Sequence, residues 1–313
     1  MTGFDPDTQM PSLQGKVILV TGGTAGIGRT TILGLAKHQP AHIYFTGRSA
    51  SSADGLTAEV RKLAPAVQTT FVPADLASLA ACGDAARALA GRLTRLDVMI
   101  CNAGIMAVPP AVSADGHEIH MATNHLGHAM LLRHLLPVLE ATARLPGADV
   151  RVVVLTSTAW RGHPSNGITY GRLGSGYSGF VGRWQAYGQS KFANLLYAAE
   201  LARRYPAILT VALQPGVVST GLIGGLGFWD RAMVATSTAL LRIPTLTPEQ
   251  GSHNSLWAAA AGKRADMVSG AFYMPVGQLA SHLVAKDKVA SDPGQAARLW
   301  EWTEKALDRV EGN

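Results

Sequence analysis

The segment "AYGQSK" places Tyr187 and Lys191 four residues apart, so on a helix the two side chains share one face. A free phenol has a pKa of about 10 and is a poor acid-base catalyst near neutrality, but a neighbouring ammonium stabilises its phenolate. The pair is a candidate proton donor to an oxygen that is gaining charge. Ser157 ends the apolar run "RVVVL" in "TST", where its hydroxyl can hydrogen-bond the same oxygen. A second chemistry is written in "TGGTAGIG", residues 21–28, directly after Val17-Ile18-Leu19-Val20. A strand, a glycine-rich turn and a helix opening near Gly26 make an anion site: glycine lets backbone N–H groups approach, and the helix dipole favours negative charge such as a pyrophosphate. Taken singly, each feature has an ordinary reading: a solvated helix face, a serine capping a turn, a tight strand-to-helix connection. Together in one chain they argue for a site.

Residues of these kinds must be held by a scaffold, and the apolar runs supply one. "KVILV", "HIYFT", "TTFVP", "DVMIC", "RVVVL", "ILTVAL" and "AFYMP" alternate with helix-length segments. Short fully apolar runs joined by helices predict one doubly wound α/β domain, a mainly parallel seven-stranded sheet with helices on both faces. It is expected over residues 15–313, after a flexible tail over residues 1–14. Two segments break the rhythm. Residues 161–184 are rich in glycine and carry Tyr170, Tyr177, Phe180 and Trp184, while residues 220–244 carry Leu222, Phe228, Trp229 and Met233 in a helical pattern. They are expected as a substrate-side loop and flap beyond the carboxyl ends of the strands, suited to an apolar ligand.

Composition removes several classes. The 313 residues are 47% apolar and 15% charged, so the chain can bury a large core. Its net charge of +6 is scattered, and no Lys/Arg block marks a nucleic-acid partner. With two cysteines, no signal-like N-terminus and no run of 18 uncharged apolar residues, a cytoplasmic protein without a stable membrane anchor is expected. His117, His120, His125, His128 and His134 do not form an H-E-x-x-H motif and have no accompanying cysteine, so they read as structural rather than metal ligands. "GYSG" lacks the G-x-S-x-G elbow of a serine hydrolase.

The spacing T-G-x-x-x-G-x-G differs from the G-x-G-x-x-G fingerprint and resembles the short-chain dehydrogenase/reductase family. Further motifs match in order: "ADL" with Asp75 and Leu76, "NAG" with Asn102, Ala103 and Gly104, Asn124 in "MATNHLGH", Thr156 and Ser157, then Tyr187 and Lys191, and "LQPGVVST". The resemblance runs from about Gly15 to Pro275 and implies a Rossmann-type oxidoreductase. "NHLGH", "QPGVVST" and "LTPEQG" look most like its retinol dehydrogenase-like branch. The resemblance implies that Gly22, Thr24, Gly26, Ile27 and Gly28 hold a pyrophosphate and that Asp75 and Leu76 meet an adenine. It also implies that Asn102, Ala103 and Gly104 line the cofactor cleft, that Pro215 and Gly216 lie near the nicotinamide, and that Ser219 or Thr220 meets its carboxamide or the pyrophosphate. Val218 and Thr220 are implied as cofactor-binding, with Tyr187 and Lys191 touching cofactor as well as reacting. Asn124 is implied as the fourth catalytic residue, supporting a water-mediated proton relay behind Lys191. Arg48, just after the second strand, can neutralise a ribose 2′-phosphate where an acidic residue would repel it, which favours NADP(H).

The chain departs from the pattern in two places. Ser157 and Tyr187 are 30 positions apart, longer than usual, and Trp160 follows Ala159 where the branch has a different residue. The expectation is an NADP(H)-dependent enzyme moving hydride between nicotinamide and a carbonyl or alcohol of an apolar small molecule. Homodimers or homotetramers are expected to pair through residues 185–205, which are apolar on more than one side. The rival class is a cofactor-binding sensor or interaction protein of the same fold, which would have no need of Ser157, Tyr187 and Lys191 together.

Overall fold

The computed structural model describes residues 3–175, 177–220, 227–240 and 242–312. All seven apolar runs form strands, six of them β1 (Val17–Val20), β2 (His42–Gly47), β3 (Gln68–Pro73), β4 (Val98–Cys101), β5 (Arg151–Leu155) and β6 (Leu209–Leu213). The last run gives β9 (Phe272–Met274), after a separate small parallel pair, β7 (Val217–Val218) with β8 (Thr245–Leu246). In the main sheet β3, β2, β1, β4, β5, β6 and β9 lie side by side, all parallel. Strands β4, β5 and β6 are buried at every position because helices cover both faces, which is why they read as unbroken apolar runs. β3, at the edge, is only partly buried and carries Gln68, Thr69 and Thr70.

Helices α1 (Gly26–Ala36), α2 (Ala50–Leu63) and α7 (Pro248–Leu256) cover one face; α3 (Leu79–Ala90), α4 (Gly127–Ala143), α5 (Gly179–Arg204) and the C-terminal α8 (Pro293–Glu311) cover the other. The alternation of β1 shows the division: Ile18 and Val20 enter the first core, Leu19 the second. Strand order reverses between β1 and β4, so a crevice opens outside the carboxyl ends of these two strands.

Four expectations change. The sheet of the described residues has eight strands, not seven: after β9 the chain turns at Gly277 (φ +68°), and β10 (Gln278–Leu279) pairs back antiparallel, Gln278 opposite Met274 and Leu279 opposite Tyr273. Residues 4–13, expected within a flexible tail, pack on the domain. Met10 and Leu13 are buried, Phe4 joins the same core, Asp5 caps a short helix (Pro6–Gln9), and Lys37 pairs with Asp7 at 2.8 Å. Helix α5 begins at Gly179, inside the expected loop over residues 161–184. Finally, the apolar faces of α5 on which subunit pairing was expected are covered within the chain. Tyr197 stacks on Trp300 of α8 at 5.0 Å, Arg204 lies over the same indole at 4.6 Å, and the α5 side chains from Ala186 through Ala198 are buried. Within residues 220–244, where a flap is expected, Phe228–Leu240 forms helix α6. Leu222 and the side chains of Phe228 and Trp229 lie outside the described residues.

Ahead of α4 the chain forms a π-helical turn, Ala122–Leu126, which holds Asn124 and His125, and His128 follows one turn later. Burial pulls the His125 imidazole down to about 3, with the nearby His128 adding to the fall. It likewise pulls His128 down to about 4, helped by the charge of Lys191 and opposed by a hydrogen bond to the Asn124 carbonyl. Both are neutral in the folded state, whereas unfolded histidines take up protons near 6.5. Their contribution to stability is complete above 6.5 and is lost as pH falls toward 4. The expected slope is about 1.4 kcal/mol per pH unit for each histidine. Chemical denaturation followed at pH 7, 6 and 5 should show this fall, and His125→Gln should reduce the slope by about half.

Candidate active site

Every parallel strand of the sheet ends on the same edge, and the residues singled out by type follow those ends. After β1, Gly22 and Gly26 adopt positive φ (+65° and +52°), a conformation that strains other residues. Helix α1 then starts with Ala25 at its N-cap, which provides no side-chain hydrogen bond, so its first N–H groups point outward without a side-chain cap. Gly28 is required by contact: a Cβ there would lie 2.3 Å from the Gly22 carbonyl oxygen and 2.6 Å from Asn102 Nδ2. Thr24 packs against Gly47, the residue before Arg48, and Ile27 leans on the α1-side core. Arg48 is exposed and has no hydrogen-bonding or ionic partner among the described residues. Asp75, exposed after β3, accepts from the Ala77 N–H at 3.1 Å. Leu76 beside it is buried, with its carbonyl pressed against Gly127 at the start of α4. Thr220 reaches back to the glycine turn, where a Cβ on Gly26 would meet its side chain at 3.4 Å. Beyond β6, Pro215 and Gly216 (φ +97°) turn the chain toward the buried Val218. These positions present a cradle of backbone donors beside an unpartnered guanidinium, which fits a dinucleotide.

A buried network ties this turn to the strand-β4 motif. The Thr21 hydroxyl accepts the N–H groups of Asn102 (2.9 Å) and Ala103 (3.0 Å), and Asn102 Nδ2 donates to the Thr21 carbonyl at 2.8 Å. His128 Nδ1 donates to the Asn124 carbonyl at 3.0 Å, which leaves Nε2 bare to accept from the Thr21 hydroxyl at 2.8 Å. Asn124 in turn clamps the residue after "NAG". Its Oδ1 accepts from Ile105 N–H at 2.7 Å, and its Nδ2 donates to the Ile105 carbonyl at 3.0 Å and to Ser190 Oγ at 2.9 Å. A Cβ placed on Gly104 would meet Asn124 Oδ1 at 3.0 Å and Lys191 Nζ at 3.4 Å, so these three residues converge.

Tyr187, Lys191 and Ser157 complete the cluster. Thr156, the first hydroxyl of its pair, is spent on the Lys191 carbonyl at 2.6 Å; Ser157 is the one left facing Tyr187. Burial pushes the Tyr187 phenol up to about 12, and its hydrogen bond with Ser157 pulls the other way. Burial alone draws Lys191 down to about 8. The lysine amine donates to the Leu155 carbonyl at 3.2 Å and sits 6.0 Å from the Tyr187 ring centre. The partner that eases ionisation of the phenol is thus Ser157 rather than Lys191. At neutral pH the phenol holds its proton and can give it.

Of the rings that meet Tyr187, Trp184 is one of the loop aromatics expected toward substrate, whereas sequence reasoning gave His120 and Asp230 no role at the site. Two rings stand edge-on to Tyr187, Trp184 at 6.1 Å and His120 at 6.3 Å. Trp184 Nε1 donates to the buried Asp230 of α6 at 2.8 Å, and Arg183 pairs with the same carboxylate at 2.7 Å. Of the loop aromatics expected toward substrate, Tyr170 packs on Trp302 and Arg298 of α8, Tyr177 is buried under Arg172, and Phe180 is exposed beside Arg183. The histidines have separate partners: His125 meets Thr303 at 2.8 Å, His134 meets Glu311, and His117 packs on Trp302. A hint to His128 lay in its spacing, four residues after Asn124 and one helical turn along.

Residues 16–172 match the short chain dehydrogenase family model, which covers half of the chain and ends before Tyr187. The chain is 36% identical over 315 residues to the short-chain dehydrogenase/reductase drtF of Aspergillus calidoustus, spanning 96% of each protein. It is 32% identical over 299 residues to DnrU of Streptomyces sp. (strain C5), a candidate daunorubicin C-13 ketoreductase, spanning 94% of this chain and 93% of that one. A crystal structure of an uncharacterized protein from Mycobacterium paratuberculosis superimposes with a TM-score of 0.71 at 28% identity, covering 98% of both chains. The chain belongs to the short-chain dehydrogenase family of oxidoreductases, whose fold binds a nicotinamide cofactor. Among its described residues no helix is long and apolar enough to cross a membrane.

Gly28→Ala tests the close approach of α1 to β1. The obstructing atom is a backbone carbonyl 2.3 Å away that no rotamer change can move. The expected cost is about 1–3 kcal/mol of stability, with cofactor binding weakened at least tenfold. Thermal unfolding together with a cofactor titration measures both, and wild-type values for both would show that the turn tolerates a side chain.

Proposed function

We propose that this oxidoreductase uses NADP(H) to interconvert a carbonyl and an alcohol on an apolar small molecule. The observation that carries the reading is the meeting of Ser157, Tyr187, Lys191 and Asn124 at the carboxyl edge of the sheet, one strand from the glycine turn. In support, the similar DnrU is named for reduction of a ketone. When bound, the nicotinamide supplies the hydride for reduction or accepts it in oxidation. Proton movement falls to the chain. Tyr187, protonated at neutral pH, donates from its hydroxyl to the carbonyl oxygen as that oxygen gains charge, and Ser157 hydrogen-bonds the same oxygen. The phenolate left behind is eased by the Ser157 hydroxyl, while Lys191, 6.0 Å from the ring centre and lowered to about 8, adds a more distant positive charge that is sensitive to mildly alkaline pH. Asn124 fixes Ile105 and Ser190 around them, which suits a role in carrying the replacement proton through water behind Lys191.

Arg48 has the position and the freedom to grip a 2′-phosphate through its planar fork of donors. Loss of charge-assisted bonds of this kind costs about 1.5–3 kcal/mol, so Arg48→Asp should weaken NADPH by about 10- to 100-fold while leaving NADH unchanged or improved. Equal losses for both cofactors would remove the phosphate assignment.

Oxidation of NADPH, followed by its near-ultraviolet absorbance against a panel of apolar ketones, aldehydes and quinones, tests the reaction. Tyr187→Phe should retain NADPH binding and lose about 10²- to 10⁴-fold in kcat, the usual contribution of a positioned acid. Turnover unaffected by that change would refute the assignment of Tyr187 as the proton donor.

A further inference from the structure

Beside Tyr187 lies a buried pair that the proposed chemistry leaves unused. Glu118 and His120 are each about 1% exposed and are joined at 2.7 Å between Oε1 and Nδ1. The other carboxylate oxygen accepts the Met121 N–H at 2.9 Å, so Glu118 caps the short helix Ile119–Met121. At the far side of the imidazole, Val108 donates its N–H to Nε2 at 3.2 Å. An amide can only donate there, so Nε2 is the bare nitrogen and Nδ1 carries its proton toward Glu118.

Val108 ends a short stretch that is fixed at both ends by groups of the site. At the start, Gly104 lies against Lys191, and both backbone groups of Ile105 bind Asn124. At the end, Val108 is held by His120, whose ring meets Tyr187 edge-on at 6.3 Å. Between them Ala107 is buried with φ +47°, a left-handed conformation in a residue other than glycine. Such a conformation persists only where the surroundings over-determine it. Ile105, Met106 and Val108 remain partly exposed, so the stretch presents apolar side chains along the edge of the cleft.

We propose that Glu118 and His120 form a positioning pair that holds residues 105–108 as the fixed wall of the substrate cleft beside Tyr187, and so governs how the apolar substrate is seated. His120 acts through Val108 and does not exchange protons with the reacting oxygen. The kinetic part of this inference rests on the carbonyl-reductase reading; the structural part does not.

Nitrogen-15 spectra of the wild-type protein labelled at histidine read the tautomer directly. They should show His120 protonated at Nδ1 and bare at Nε2. Glu118→Gln leaves one acceptor oxygen for two donors, His120 Nδ1–H and the Met121 N–H, and so weakens the selection of this form; it should raise the exchange rate of the Val108 amide. His120→Ala should raise that rate at least tenfold and raise KM for the carbonyl about tenfold with kcat within about threefold, the scale of one lost hydrogen bond. His120→Gln keeps one acceptor and one donor and should restore both readouts. An Nε2-protonated His120 in the wild type would overturn the inference. So would unchanged Val108 exchange in His120→Ala, or a fall in kcat with KM unchanged, which would place His120 in the chemistry. If the wild type turns over no carbonyl, the functional reading fails, and the tautomer and exchange measurements still decide the pair.

Discussion

The hydroxyl of Thr21 sits where the two halves of the molecule meet. It lies just past the end of β1, at the reversal of strand order, and takes both N–H groups that follow β4 while giving its own proton to His128. That single oxygen fixes the spacing of the glycine turn, the "NAG" segment and the π-helical turn. The His128 imidazole extends the link to the Asn124 carbonyl, and the Asn124 side chain extends it to Ile105 and Ser190. Buried and fully paired, such a network is stiff, and a single unpaired member would leave a polar group stranded in low dielectric. The neutral state of His128 is part of the design, since a charge there would face Lys191.

The same burial sets the chemistry. Tyr187 and Lys191 are both enclosed, so each is pushed toward its uncharged form, the phenol up and the ammonium down. Ser157 works against this at the phenol by hydrogen bonding. Proximity on one helix face was the reason to pair Tyr187 with Lys191, but α5 carries the amine past the ring to the Leu155 carbonyl at the end of β5. The lysine is therefore oriented by the sheet and the tyrosine by its neighbours.

Much of this was legible because buried parallel strands leave continuous apolar runs and because glycines mark close approaches. Each strand run and the positive-φ glycines at 22 and 26 follow from that logic. What escaped had no local signal. β10 is two exposed residues whose pairing is made by the turn before them, and Gln278 and Leu279 have no apolar pattern of their own. The first turns of α5 contain Gly179 and Gly182, poor helix formers, and Gly182 is accepted there because Tyr177 packs against it. The apolar surface of residues 185–205 was visible, but its partner, α8, lies about a hundred residues later in the chain. Glu118, His120 and Asp230 are charged or polar residues whose burial is decided wholly by tertiary contacts.

The supports of α5 differ between its two ends. Toward its carboxyl end α5 is braced by α8 through Tyr197, Trp300 and Arg204, and the π-helical turn is pinned to the same helix where His125 meets Thr303. These contacts are large, aromatic and independent of any ligand. At its amino end the helix meets α6, among the described residues, through the Asp230 carboxylate shared by Arg183 and Trp184. Trp184 then meets the Tyr187 ring edge-on, so the position of α6 is felt at Tyr187 through that indole. A buried carboxylate holding two donors is strong while intact, yet losing one partner leaves a charge without compensation. The scaffold thus divides the labour: the carboxyl half of α5 is set by the rigid side that includes α8, while at the amino end Asp230 and Trp184 link the position of α6 to Tyr187.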